Sequence, residues 1–291
     1  MTSFSLAFLV LSLFCAKAQP PLKSDSVLID GHYRTFHFNG TQPTNAATSL
    51  IFVLHGSGGD GIQMARRTSR LEEKAVEENF ITVYPDGYRK FWNECRKTAS
   101  SEANIENIDE ISFFQYMILY FKTKYKINDR QVFAVGTSGG GHMAYKLALL
   151  MPARFRAVTA IIANLPDDQN MDCAGLNVPM AVMIINSTTD PVNPYNGGEV
   201  RTGNFKAGTV RSTDATFQYW SSLAGYRGRP VKESLPDTDP ADGKVIERYA
   251  FRKNNRPEVV LLKVIGGKHD YPNDIDVHLE AWAFFKRQIP K

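Results

Sequence analysis

The sequence lacks the marks of a nucleic-acid or membrane-surface protein. Its 34 Lys and Arg against 30 Asp and Glu leave a net charge of +4, and no basic run exceeds two residues. Neither a nucleic acid nor an anionic membrane is therefore an expected partner. Long apolar runs are also missing. Leu6 to Ala16 is too short to cross a bilayer and ends in Ala16-Lys17-Ala18 before Gln19-Pro20-Pro21. That small-x-small ending reads as a secretory cleavage site, although Met1 to Ser5 has no Lys or Arg to form the usual basic start. Residues 1–18 are expected to be a signal peptide and 19–291 one secreted domain, extracellular or periplasmic. Histidine is scarce, six in all, and no pair has metal-ligand spacing, which predicts no metal and no cofactor. Cysteine is scarcer still. Loss of Cys15 with the leader leaves Cys95 and Cys173, which form either one disulfide in an oxidising compartment or two separate buried thiols.

What is present is an ordinary α/β composition, 43% hydrophobic and 22% charged, organised around Val132 to Met143. Val132 to Val135 reads as a buried strand, Gly136-Thr137-Ser138-Gly139-Gly140 as a tight turn, and Met143 to Leu150 as a helix. A serine at such an apex sits in a strained backbone conformation, and small residues two positions either side leave room for the adjoining elements. The turn lifts the Ser138 hydroxyl and aims the N–H groups that open the helix at whatever it attacks. Ser138 is the candidate nucleophile.

A second glycine-rich loop, His55-Gly56-Ser57-Gly58-Gly59-Asp60-Gly61, follows the apolar strand Leu50 to Leu54. No Gly-Lys-Ser or Gly-Lys-Thr follows it, so a phosphate cradle does not fit. Donation of a backbone N–H to an oxyanion does, with Ser57 and Gly139 as the expected pair. Strand Val178 to Ile185 leads to Asp190-Pro191, the one acid after Ser138 that directly follows a buried strand. Beyond Asp190 only His269 and His278 can complete a Ser, Asp, His order. His269 lies on a glycine-flanked loop after strand Val259 to Ile265, whereas His278 lies within the terminal helix, so His269 is the expected base and Asp190 its partner. Trp92, with Phe91 and Asn93, sits on a polar loop that either lines a substrate pocket or packs beneath itself. Tyr195 and Tyr271, which follow the acid and the base, are further pocket candidates. Asp109 and Glu110 read as a helix-start charge cluster, and His32 and His37 as surface strand residues.

Taken together, Leu54-His55-Gly56-Ser57-Gly58-Gly59, Tyr84-Pro85-Asp86-Gly87, Gly136 to Gly141, Asp190-Pro191 and Gly266-Gly267-Lys268-His269 resemble one family. It is the secreted polyhydroxybutyrate depolymerase and feruloyl esterase family of α/β-hydrolases, related to carbohydrate esterases that remove acyl groups from xylan; the resemblance spans Val27 to Lys286. It implies an α/β-hydrolase fold, a mostly parallel central sheet with helices on both faces, and the triad Ser138, Asp190 and His269. The pattern departs where Lys268 precedes the histidine and Asp270-Tyr271-Pro272 follow it, with Tyr271 in the place of a family tryptophan. No length remains for a separate polymer-binding domain, so a soluble or oligomeric ester is the expected substrate: a feruloyl or acetyl ester of plant polysaccharide, or a hydroxyalkanoate oligomer. Two other classes use the same scaffold, a serine peptidase and a non-catalytic binding protein. The latter typically loses a triad member, and all three are present here.

Overall fold

The computed structural model describes residues 22–40, 45, 47–202 and 205–290; the expected signal peptide lies outside them. Along the chain run β1 (Lys23–Ile29), β2 (His32–Phe38), β3 (Ser49–Leu54), α1 (Gly61–Arg67), α2 (Ser69–Glu78), β4 (Phe80–Pro85), α3 (Glu102–Ile105), α4 (Glu110–Tyr125), β5 (Val132–Thr137) and α5 (Gly139–Leu150). There follow β6 (Ala157–Ile161), β7 (Ala181–Ser187), β8 (Gly198–Thr202), β9 (Phe205–Val210), α6 (Thr213–Leu223), β10 (Val231–Ser234), β11 (Val245–Phe251), β12 (Val259–Ile265) and α7 (Val277–Lys286).

Ten strands form one sheet in the order β1-β2-β4-β3-β5-β6-β7-β12-β11-β10. The middle of the sheet, from β4 to β12, is parallel, and the antiparallel pairs lie at its two edges. β3, β5, β6 and β7 are buried almost throughout, as parallel strands covered on both faces must be. Side chains alternate across a strand, so Leu50, Phe52 and Leu54 face one layer while Ile51 and Val53 face the other. The first layer holds Phe113, Phe114, Met117 and Phe121 of α4, Tyr145 and Leu147 of α5, and Phe217 and Trp220 of α6. The second holds Met64 of α1, Leu71 and Ala75 of α2, and Trp282, Phe284 and Phe285 of α7. This is the α/β-hydrolase architecture that the sequence led us to expect.

The strand order places the chemistry. β3 is followed by α1 and α2 on one face and pairs with β4, and the chain then crosses to the other face through α4 and returns as β5 on the opposite side of β3. The direction of winding changes there, and loops leaving the carboxyl ends of β3 and β5 diverge to leave a crevice. Leu54 pairs with Gly136, so the glycine loop and the serine turn leave the sheet side by side.

Several elements differ from the sequence reading. The helix expected over Ile62 to Asn79 is two, α1 and α2, broken at Thr68, whose hydroxyl bonds Met64 O (3.0 Å) and Tyr84 OH (2.9 Å). The loop expected over Arg227 to Gly243 contains edge strand β10. The helix after Ser138 begins at Gly139 rather than Met143, because its glycines are set by close contact with the sheet and not by propensity. His37 is no surface residue: it is 6% exposed, between Ser24 (Nδ1 to Oγ, 2.7 Å) and Asp86 (Nε2 to Oδ2, 3.2 Å). Asp109 does cap α4, accepting from Ser112 N–H, but Glu110 is fully buried against Arg34 at 2.8 Å.

Candidate active site

Ser138 has φ 54° and ψ −117°, outside the comfortable regions for a residue with a Cβ, and its N–H is held by Ile161 O at 2.8 Å. Glycines make this geometry possible. A Cβ on Gly136 would stand 2.0 Å from Gly140 O, and one on Gly140 would stand 2.4 Å from Leu54 O. Helix α5 therefore seats directly on the backbone of β3 and β5. The same contact brings the second loop in, since a Cβ on Gly139 would lie 3.0 Å from Ser57 N. Among the described residues neither Ser57 N–H nor Gly139 N–H has a protein acceptor, so two free donors lie side by side at the head of a helix.

His55 holds that loop from below. Its Nδ1–H donates to Gly56 O (2.8 Å) and its Nε2 accepts from Gly87 N–H (2.9 Å), which fixes one neutral tautomer. Burial pushes its pKa below the ordinary histidine value, which favours the same neutral form. Trp92 completes the support: its Nε1–H donates to His55 O (2.9 Å) and its ring lies 4.8 Å from the imidazole. At 3% exposure Trp92 has almost no surface left for a substrate.

His269, on the loop after β12, joins the serine to the acid. Its Nε2 is 3.0 Å from Ser138 Oγ and its Nδ1 is 2.7 Å from Asp190 Oδ2. The other carboxylate oxygen, Oδ1, accepts from Val192 N–H (2.7 Å) and Asn193 N–H (2.8 Å), so Asp190 is locked with one oxygen aimed at the imidazole. The two loops are sewn together. Thr189 donates N–H (3.0 Å) and Oγ1–H (2.7 Å) to Gly267 O, and Gly266 N–H donates to Thr188 Oγ1 (3.0 Å). Tyr271 adds a tie to the serine strand, its hydroxyl 2.6 Å from Thr137 Oγ1. Side chains 131 and 79 residues apart thus form one hydrogen-bonded chain.

Tyr195 is not brought to this chain by any bond; its hydroxyl donates to Asp214 Oδ1 at 2.9 Å and it is 6% exposed. Cys95 and Cys173 are joined in a disulfide that pins the loop after β4 to the segment before β7. Cys95, Asp172 and Cys173 are the one group among the described residues close enough to hold a metal, and the disulfide uses both sulfurs. His142, one turn beyond Ser138, is buried, and desolvation holds its pKa well below the ordinary value. Sequence reasoning missed Glu94 and Arg96. This buried pair, 2.7 Å apart, bounds a narrow recess that also touches Ser57 and Gly139. Charged residues two positions apart in a loop give no signal of burial.

No protein-family profile matches the chain. Among curated proteins it is 23% identical over 256 residues to the putative esterase NocK of Nocardia uniformis subsp. tsuyamanensis, covering 84% of this chain and 73% of that one. It is 29% identical over 196 residues to feruloyl esterase C of Emericella nidulans, covering 66% of each, so the chain spans just under two thirds of that relative's length. Among solved structures, acetyl xylan esterase from Aspergillus awamori superimposes with a TM-score of 0.62 at 15% identity, covering 90% of this chain and 99% of that one, a likeness of fold. The fold is that of the α/β-hydrolases, and the likeness to esterases and feruloyl esterases supports a serine hydrolase that acts on carboxylic esters.

Proposed function

We propose that the protein is a secreted esterase in which Ser138 is the nucleophile, His269 the general base and Asp190 the residue that orients the imidazole. The observation that carries this reading is the continuous path from Asp190 Oδ2 through His269 to Ser138 Oγ, ending beside two unoccupied N–H donors. In the first step His269 Nε2 takes the Oγ proton as Ser138 attacks the ester carbonyl, and Asp190 stabilises the imidazolium. The carbonyl oxygen gains negative charge and is held by Ser57 N–H and Gly139 N–H, each such donor worth about 2.7 to 4 kcal/mol of barrier. His269 then returns the proton to the departing alcohol. Water repeats the sequence on the acyl-enzyme and frees the acid.

The substrate class in this reading is an ester carried by a plant polysaccharide, feruloyl or acetyl, or a hydroxyalkanoate oligomer. The name of one relative, feruloyl esterase C, supports the first. Secretion is supported by the Cys95–Cys173 disulfide, which persists in oxidising compartments. No helix among the described residues is long and apolar enough to cross a membrane. The test is hydrolysis of methyl ferulate, acetylated xylan and hydroxybutyrate oligomers by one preparation, with matched amides alongside. The ester with the largest kcat/KM names the acyl group. Cleavage of the amides without cleavage of any ester would replace the esterase reading with a peptidase.

A further inference from the structure

A cavity of about 810 Å³ opens at the end of the sheet opposite the triad. Its walls come from five places: the residues before β5, the turn between α5 and β6, the residues entering β7, the turn between β11 and β12, and the end of α7. All lie at the amino ends of parallel strands whose carboxyl ends carry Ser138, Asp190 and His269. A six-residue strand rises about 20 Å, so no group bound in this cavity touches the triad.

The lining is unusually basic. Arg130, Arg154, Arg156, Arg252, Lys253 and Arg256 all border it and all are exposed. Arg287 and Glu258, also in the wall, are bonded to each other at 3.0 and 3.1 Å, and Glu258 is the only acid there. Arg156 donates to Gln288 O (2.8 Å) and Arg256 to Gly225 O, contacts that fix position without cancelling charge. Asp129, which feels Arg154, is already bonded to Lys122. Among the described residues Arg130, Arg154, Arg252 and Lys253 take part in no ion pair. The lining sums to +6 while the whole chain sums to +4, so the rest of the molecule is net negative. Like charges crowded on a concave wall repel one another and add nothing to folding. They do focus a positive potential into the cavity.

We propose that this cavity is a docking site for an acidic polysaccharide, its spaced carboxylates received by the arginine forks. Guanidinium groups match carboxylates in paired hydrogen bonds, and five of the six exposed cations are arginines. Pro152, Pro179 and Pro257 stiffen the walls against which a sugar chain lies. A nucleic acid fits less well. The only aromatic ring in the lining is Phe155, which is 3% exposed, so bases have no face to stack on. The assignment rests on the reading that the esters are carried by a polysaccharide: a chain held at one end of the enzyme raises the concentration of ester groups at the other.

The test uses the full mature chain carrying Ser138→Ala, so that no polymer is consumed, and measures binding to polygalacturonate, neutral arabinoxylan and duplex DNA. Expected is binding to polygalacturonate that weakens with added salt, no comparable binding to arabinoxylan, and weaker binding to DNA. The combined change Arg130→Gln, Arg154→Gln, Arg252→Gln and Lys253→Gln should weaken polygalacturonate binding at least about tenfold. The same four changes in the active protein should leave hydrolysis of a small aryl ester unaltered, which shows the fold is intact. Unchanged affinity in the four-fold variant, equal binding of arabinoxylan, or tighter binding of DNA would each overturn the proposal. Failure of the unmodified enzyme to cleave any ester would remove the esterase reading and leave the binding result standing.

Discussion

Replacing Gly140 by alanine tests whether the two N–H donors are set by the seating of α5 on β3. The new Cβ would lie 2.4 Å from Leu54 O and 2.7 Å from His55 O, both backbone atoms of β3 and its loop. To reach ordinary contact near 3.4 Å, helix and strand must separate by about 1 Å, and overpacking of this kind costs about 1 to 3 kcal/mol of stability. Gly139 N–H moves with the helix while Ser57 N–H stays with the loop. A hydrogen bond stretched by about 1 Å from an ideal length near 2.9 Å is no longer a bond. One donor is lost, and kcat should fall on the order of 100- to 1,000-fold with KM little changed. The assay is steady-state hydrolysis of an aryl ester, corrected for folded protein by circular dichroism. Gly175→Ala is the control, since its Cβ would meet nothing closer than the flexible Leu149 Cδ2 at 3.0 Å, and its kcat should stay near that of the unmodified enzyme. A folded Gly140→Ala enzyme with kcat within threefold of the unmodified one would refute the reasoning.

The paired change Cys95→Ser and Cys173→Ser opens a loop with a sequence separation of 78, and the chain-entropy relation gives a loss of about 4.5 kcal/mol, to be read from the urea midpoint. Acid should also weaken the fold. His278, fully buried, has its pKa lowered from 6.5 to about 4 by desolvation, and burial lowers His55 and His142 as well. Unfolded chains take up these protons first, so stability is whole above pH 6.5 and is lost as the pH falls toward 4, by about 3 kcal/mol for His278 alone. Glu72, raised above 4.5 by burial, acts with the opposite sign, its contribution present below pH 4.5 and lost as the pH rises through its folded value. Urea midpoints at pH 7, 5.5 and 4.5 should decline, and His278→Gln should flatten the decline; midpoints constant with pH would contradict it.

Ser138 and its glycines were legible in the sequence because one physical demand, a serine on a strained turn between close-packed elements, fixes residue types at fixed spacing. His269 and Asp190 were reached by order along the chain, since both follow strands whose apolar runs are plain, and the structure places their side chains 2.7 Å apart. Burial was less legible than position. His37 read as a surface strand residue and Glu110 as part of a helix-start charge cluster; here Asp86 and Arg34 partner them from 49 and 76 residues away. The basic cavity was invisible for the same reason, its cations coming from separate turns with no run longer than two. The break at Thr68 escaped notice because its cause, a bond to Tyr84, is tertiary.

The most direct measurement is covalent labelling with a fluorophosphonate, read by peptide mass spectrometry on the intact enzyme. Ser138 should carry the adduct, Ser138→Ala should carry none and lose ester hydrolysis, and His269→Ala should label far more slowly. An adduct on another residue, or undiminished hydrolysis by Ser138→Ala, would contradict the assignment of Ser138 as the attacking group.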